Sequence, residues 1–288
     1  MEEYTVMGIR LPESSLLRVI YLMVRRYLRH KVGVQSAALA FYLLFMLFPL
    51  LIFVSALLGS LQLDAAAVLA SLEELLPRQV VALAEVYLRH VGEHPSARLL
   101  TFGLAFSLYF PMRAANALMR AVRTAYHLGP PGSAVRHYAK SLLYTALLIG
   151  AIALTLTAMT VGEGLLRFAM AELGLSAAAA ALWARLRFPV AAAAGFFALF
   201  ALYALAQDRR RRWRELWPGT VFSLTVWLGL SWLYSLYVER IADYSALYGS
   251  IGAVIVLLMW LYLSAAVLIL GAELNGTLIA LRREKKEM

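Results

Sequence analysis

Residues 36–59 read SAALAFYLLFMLFPLLIFVSALLG, twenty-four positions without a charge, broken in character only by Pro49. A helix rising 1.5 Å per residue covers, over that length, the roughly 30 Å hydrocarbon core of a bilayer, so the stretch predicts a transmembrane helix. Pro49 removes one backbone donor and predicts a kink within it. Working outward, five more apolar runs follow at 99–112, 141–161, 188–206, 216–238 and 246–271, joined by connections too short for a separate soluble core. The whole composition agrees. Of 288 residues, 62% are hydrophobic and 15% charged, against about 45–50% and about 25% in a soluble domain. The expected fold class is all-α: a polytopic six-helix transmembrane bundle with amphipathic interfacial helices. It forms one membrane domain over 1–288, with a basic amphipathic segment at 1–35, spans and loops at 36–281 and a basic tail at 282–288.

An even number of spans places both termini on one side, and charge selects the side. Connections on the side of the termini hold twenty Lys and Arg, those on the other side seven. Basic loops stay cytoplasmic, so both termini are expected in the cytoplasm. The net charge of +10 is thereby a topology signal, and no nucleic-acid partner is expected from it. Cysteine is absent, which removes disulfides and thiolate metal sites. The first thirty-one residues carry six basic groups with no apolar segment ending in a small-residue cleavage site, so no cleaved signal peptide is expected.

Outside the spans, 14–30 places Leu16, Ile20, Met23 and Tyr27 on one helical face and Arg18, Arg25 and Arg29 on another, the pattern of a helix lying on the inner membrane surface. Residues 64–91 read as two amphipathic helices broken at Pro77. Residues 162–186 look similar, with an alanine run at 177–181.

The chemistry concentrates after the second run. Its fourteen residues rise only about 21 Å, so a full crossing recruits Arg113 and Asn116 at the inner boundary. At 100° per residue Tyr109, Arg113, Asn116, Arg120, Arg123, Thr124 and His127 share one sector, with Leu118, Ala121, Val122 and Ala125 opposite. Arginine presents a planar fork suited to carboxylate or phosphate. No acidic residue lies between Arg113 and Lys140, so the counter-charge comes from elsewhere. One candidate is Glu273, the acidic residue embedded in the sixth run, on a face shared with Tyr262. The other is an anionic lipid headgroup. Snorkelling or internal pairing is the plain alternative. Pro111, just before the stripe, predicts a second break. Gly249, Gly252 and the pair Ala272 and Gly276 predict close helix packing. The Trp and Tyr residues of 213–237 read as interfacial anchors.

Enzyme readings find no support. The five histidines form no zinc-type pair with a glutamate between them. His90 and His94 are flanked by Gly92 and Pro95, which argue for a turn. There is no phosphate loop, nucleophile elbow or dinucleotide fingerprint. No catalytic residue, metal or cofactor is expected.

The residues Ala37-Ala38-Leu39-Ala40-Phe41-Tyr42 leading to Phe48-Pro49-Leu50-Leu51, and Tyr248-Gly249-Ser250-Ile251-Gly252-Ala253 through Trp260-Leu261-Tyr262 to Gly271-Ala272-Glu273-Leu274-Asn275, resemble the YihY/BrkB family of bacterial inner-membrane proteins. Trp213-Arg214-Glu215-Leu216-Trp217-Pro218-Gly219 resembles the basic loop entering the family's fifth span. Residues 121–126 resemble its Ala-Leu-Asn-Arg-Ala-Tyr pattern, with Arg123 in the place of the asparagine. The resemblance covers nearly the whole chain and implies a multi-pass protein of the bacterial plasma membrane. The functional expectation is a non-enzymatic transporter or flippase-like protein for an anionic amphiphile. Arg113, Asn116, Arg120 and Arg123 would hold the headgroup, with Glu273 and Tyr262 as gate or counter-ion. The rival is a scaffolding membrane protein that binds anionic lipid or partners without moving them. Self-association is left open.

Overall fold

The computed structural model describes residues 15–61, 97–129, 131–151, 154, 177–207, 213–240 and 251–287, and all regular structure among them is helical. The helices are α1 (Ser15–Arg29), α2 (Val32–Leu61), α3 (Ala97–Ala125), α4 (134–151), α5 (Ala177–Leu205), α6 (Trp213–Arg240) and α7 (Ile251–Glu287). Every apolar run anticipated from sequence is helical where it is described, save the last residue of the fourth, Ala206, which is in a turn. Pro49 lies inside α2 and Pro111 inside α3, where it is buried. The expected helices of 64–91, the histidines His90 and His94, and Gly249 lie outside the described residues.

Two boundaries differ from the sequence expectation. The alanine run at 177–181 joins the fourth span as one helix of 29 residues, because alanine is the strongest helix former and nothing before Pro189 stops the turn. The basic tail is also helical, which makes α7 a 37-residue rod. Three helices among the described residues are long and apolar enough to cross a membrane: Phe188–Leu205, Trp213–Val238 and Val254–Glu284. The pair Leu17–Arg29 and Val32–Leu47, bent by 63°, makes a fourth if counted as one span. Helix α3 stands apart because Arg98, Arg113, Arg120 and Arg123 interrupt its apolar character.

Helix α7 is the hub, touching α6, α2, α1 and α3, while α2 packs along α3 and α5 along α6. The core gathers where α3, α5 and α7 meet, around Met119, Val122, Leu202, Tyr203 and Ile269. Away from it, Leu142, Phe197, Leu228, Leu233 and Ile251 point outward. So much outward apolar surface fits a bundle whose surrounding medium is hydrocarbon rather than water.

The basic segments collect at one end. Arg18 of α1 meets Glu284 near the end of α7 at 2.8 Å, Arg26 donates to the Ala125 carbonyl of α3 at 3.2 Å, and Arg123 donates to the Ala206 carbonyl of α5 at 3.1 Å. That clustering is the three-dimensional counterpart of the twenty-to-seven asymmetry in the sequence.

Candidate functional site at the basic end

Helix α7 presents two polar faces here, about 200° apart at 100° per residue. One carries Gly271 and Asn275 towards α6. Asn275 Oδ1 accepts from the Gly219 backbone N–H at 2.6 Å and its Nδ2 donates to the Leu216 carbonyl at 2.9 Å. Gly219 and Gly271 face each other backbone to backbone: a Cβ on Gly271 would fall on Ser223 Oγ and lie 2.7 Å from the Gly219 carbonyl oxygen. Further along, Tyr203 OH donates to the Leu268 carbonyl at 2.7 Å, Ser223 Oγ to Val267 at 3.2 Å, Trp227 Nε1 to Ser264 Oγ at 3.0 Å and Tyr234 OH to Val256 at 2.6 Å. Trp227 and Tyr234, expected as interfacial anchors, thus bind α7. Trp213, Trp217 and Trp232 are exposed as anchors would be.

The other face carries Glu273, 1% exposed. Its Oε1 lies 2.6 Å from His30 Nδ1, and its Oε2 lies 3.7 Å from Arg26 Nη1. Its counter-charge is therefore supplied by α1, and the arginines of the α3 stripe make no ion pair with it. Tyr262, eleven residues earlier on the same face, hydrogen-bonds Tyr27 of α1. Both hydroxyls crowd Gly33 at the start of α2, 3.2 and 3.3 Å from where its Cβ would sit. The two residues expected to act together as a gate hold the same element. Gly276 lets α7 approach α3, since a Cβ there would strike the Ala125 carbonyl, and Gly252 is buried.

Two residues in left-handed backbone flank this cluster. Lys31, at φ 51°, turns α1 into α2, and Gln35 Nε2 secures the turn by donating to the His30 carbonyl at 2.6 Å. His127, also at φ 51°, ends α3: Leu128 N–H reaches the Arg123 carbonyl and His127 N–H that of Thr124, a Schellman closure. Glycine is the usual residue there, and a side chain costs about 1 kcal/mol or more. The His127 ring packs edge-on against His30, with centroids 5.3 Å apart.

The stripe itself divides. Arg113 Nη2 reaches Tyr42 OH at 3.4 Å, and its guanidinium stands 5.5 Å from that ring's centroid. Arg120 is exposed and bonds back to the Asn116 carbonyl at 3.3 Å. Asn116 is buried, its Oδ1 without a hydrogen-bond partner among the described residues. Arg123, 4% exposed, donates to the Ala206 carbonyl at 3.1 Å and to the Gly129 carbonyl at 2.6 Å. The sector spans about 100°, wide enough that its inner edge is buried and its outer edge is not.

Arg123 also lines a cavity of about 190 Å³ between the α3–α4 turn and the end of α5, together with Ser133, Arg136, His137, Lys140 and Ala206. Lys140 Nζ donates to the Gln207 carbonyl, and Ser133 Oγ caps α4 by accepting from Arg136 N–H at 3.4 Å. Among the described residues none that lines it is acidic. In the sequence Arg136 and Lys140 stand among the topology charges of their loop. The signal that singles them out is their four-residue spacing behind the Pro-Pro-Gly-Ser start of α4, which sets both on one face of its first turns.

The family profile described as Virulence factor BrkB matches residues 23–288. The Putative ribonuclease-like protein YfkH of Bacillus subtilis (strain 168) is 33% identical over 253 residues, 88% of this chain and 92% of that protein. A UPF0761 membrane protein of Chromohalobacter salexigens is 28% identical over 280 residues, 94% of this chain and 65% of that protein. One of Verminephrobacter eiseniae is 31% identical over 185 residues, 64% of this chain and 40% of that protein. The chain thus spans nearly all of the Bacillus relative but a smaller part of these two UPF0761 relatives. No solved structure matches it. With a profile match over almost its full length and a relative aligned across most of both sequences, the chain belongs to the BrkB family of membrane proteins.

Proposed function

We propose that this is a non-enzymatic, six-span protein of the bacterial plasma membrane, both termini cytoplasmic, that moves an anionic amphiphile between leaflets. One observation carries the reading: the described residues that line the cavity at the basic end include Arg123, Arg136, His137 and Lys140 and no carboxylate. A cationic recess at the end of an apolar bundle suits a molecule with a charged head and a hydrocarbon tail, because outward apolar helix faces can accompany the tail while the recess takes the head. Glu273 and Tyr262 act as the gate by holding or releasing α1.

A second reading, a scaffold that binds anionic lipid and moves nothing, is favoured by the position of Arg113 and Arg120 outside that cavity. Proteoliposomes holding a labelled anionic lipid separate the two. Transport predicts leaflet exchange faster than in protein-free vesicles, slowed several-fold by Arg136→Ala. Exchange at the protein-free rate, with lipid binding intact, overturns transport in favour of the scaffold.

A further inference from the structure

We infer that Arg113 and the tyrosines around it form a headgroup station on the side of the bundle, separate from the basic cavity, that takes the phosphodiester of a phospholipid. Arg113 lies ten residues before Arg123, about 15 Å along α3 from the basic end. Its neighbours come from three helices. Tyr42 of α2 accepts a bond from Arg113 Nη2 at 3.4 Å, and Tyr109, one turn earlier on α3, and Tyr138 of α4 stand near enough to act on its charge. Ser141 holds α4 alongside by donating to the Met112 carbonyl at 3.4 Å. Hydroxyls solvate the guanidinium without cancelling its charge. Helices α2, α3 and α4 contain no aspartate or glutamate at any position, and Arg113 makes no ion pair among the described residues. An unbalanced charge beside hydrocarbon is costly, so the arrangement favours an anion that arrives from outside the bundle.

The group is open to the side. Arg113 is half-buried, while Tyr109 and Tyr138 beside it are 47% and 53% exposed. Phe41 and Phe45 of α2 are exposed as well, with ring centroids 4.4 Å apart, and the rings continue from Phe45 to Phe110 at 5.9 Å and from Phe110 to Tyr109 at 5.4 Å. An aromatic strip thus runs along α2 and α3 to a cation ringed by hydroxyls. Its occupant has to bring one negative charge, oxygens for a planar fork and for O–H donors, and hydrocarbon to lay on the rings. A phosphodiester carries one negative charge and balances Arg113 one to one. Its free oxygens accept from the fork and from the hydroxyls, and the acyl chains cover the exposed rings. In a bilayer the molecule that joins these parts is a phospholipid, and it reaches the station sideways without leaving its leaflet. The station is independent of whether the lipid is then moved.

The test reconstitutes the full chain in vesicles with a trace of phosphatidylglycerol that carries a photoreactive group near the head end of one acyl chain, and maps the labelled residues after illumination. Label is expected within 36–47 and 105–113, at least about tenfold above that left by a diacylglycerol with the same chain, the margin of one charge-assisted bond. Arg113→Gln should remove that margin. The pair Tyr109→Phe and Tyr138→Phe, at exposed positions that lose only hydroxyls, should cut it about fivefold with unchanged thermal unfolding, and it decides the matter if the glutamine variant does not fold. Equal labelling by the two lipids, or a margin that either variant leaves intact, overturns the station. Label confined to 131–140 overturns it too and leaves the cavity as the headgroup site. Label within 36–47 and 105–113 combined with leaflet exchange at the protein-free rate supports the station and overturns transport alone.

Discussion

The two polar faces of α7 solve one problem in opposite ways. Towards α6 the contact is uncharged: two glycines bring backbones together, and Asn275, Ser223 and Tyr203 bond to carbonyls and an amide that the helices already carry. Towards α1 the contact is ionic, a buried carboxylate between an imidazole and a guanidinium. Neutral bonds between helix backbones in an apolar medium are insensitive to salt and have no nearby competitor. A buried ion pair is held by desolvated charges, whose separation exposes each to a large penalty unless water reaches them together. The α6 face is a fixed seam, and the α1 face is one that can open.

The largest expected effect comes from breaking the seam. Gly271→Val places side-chain atoms on Ser223 Oγ and within reach of the Gly219 carbonyl. Rigid backbone on the far side leaves only helix separation as relief, so the variant should lose monodisperse folded protein in size-exclusion chromatography. Next is Glu273→Gln, which leaves Arg26 facing a neutral partner. A cost of about 3 kcal/mol in unfolding is expected, with faster hydrogen exchange across 15–29 and no change across 213–223. Uniform exchange across both segments would abolish the distinction between the faces. Asn275→Ala removes two buried bonds, but the Leu216 carbonyl keeps its bond from Thr220 Oγ1 at 2.9 Å. The cost should be about 2 kcal/mol for the two lost bonds, with exchange rising in α6 and not in α1. The smallest effect is Arg18→Ala: both side chains of the pair with Glu284 are about one-third exposed. It should cost less than about 1 kcal/mol and vanish in high salt.

Much of this was legible in the chain. Continuous apolar runs of about twenty residues announce helices because a helix satisfies its backbone within one segment, and the lopsided placement of arginine foretold which ends of the helices would gather. Harder to read was where each helix stops. Residues 282–287 look like a tail because their polarity follows from leaving the apolar zone, and polarity alone does not end a helix. The stripe on α3 was visible as periodicity, yet periodicity cannot rank positions within a sector, and so Arg123 reaches the cavity while Arg120 does not. The partner of Glu273 could not be found locally, because His30 is 243 residues away and its approach depends on the bend at Lys31. Asn275 and Gly219 stand 56 residues apart, and nothing in either stretch of sequence announces the bond between them.

One consequence follows from the length of α7. Thirty-seven residues make a rod of about 55 Å, against a hydrocarbon thickness of about 30 Å, so a substantial part of it stands clear of the lipid. Along α7 the first helix is fastened twice, at Glu273 and three turns later at Glu284. A bar pinned at a single point swivels. Pinned at two it keeps its heading, and undoing the outer, wetter pin converts α1 from a brace into a pendulum hung from His30.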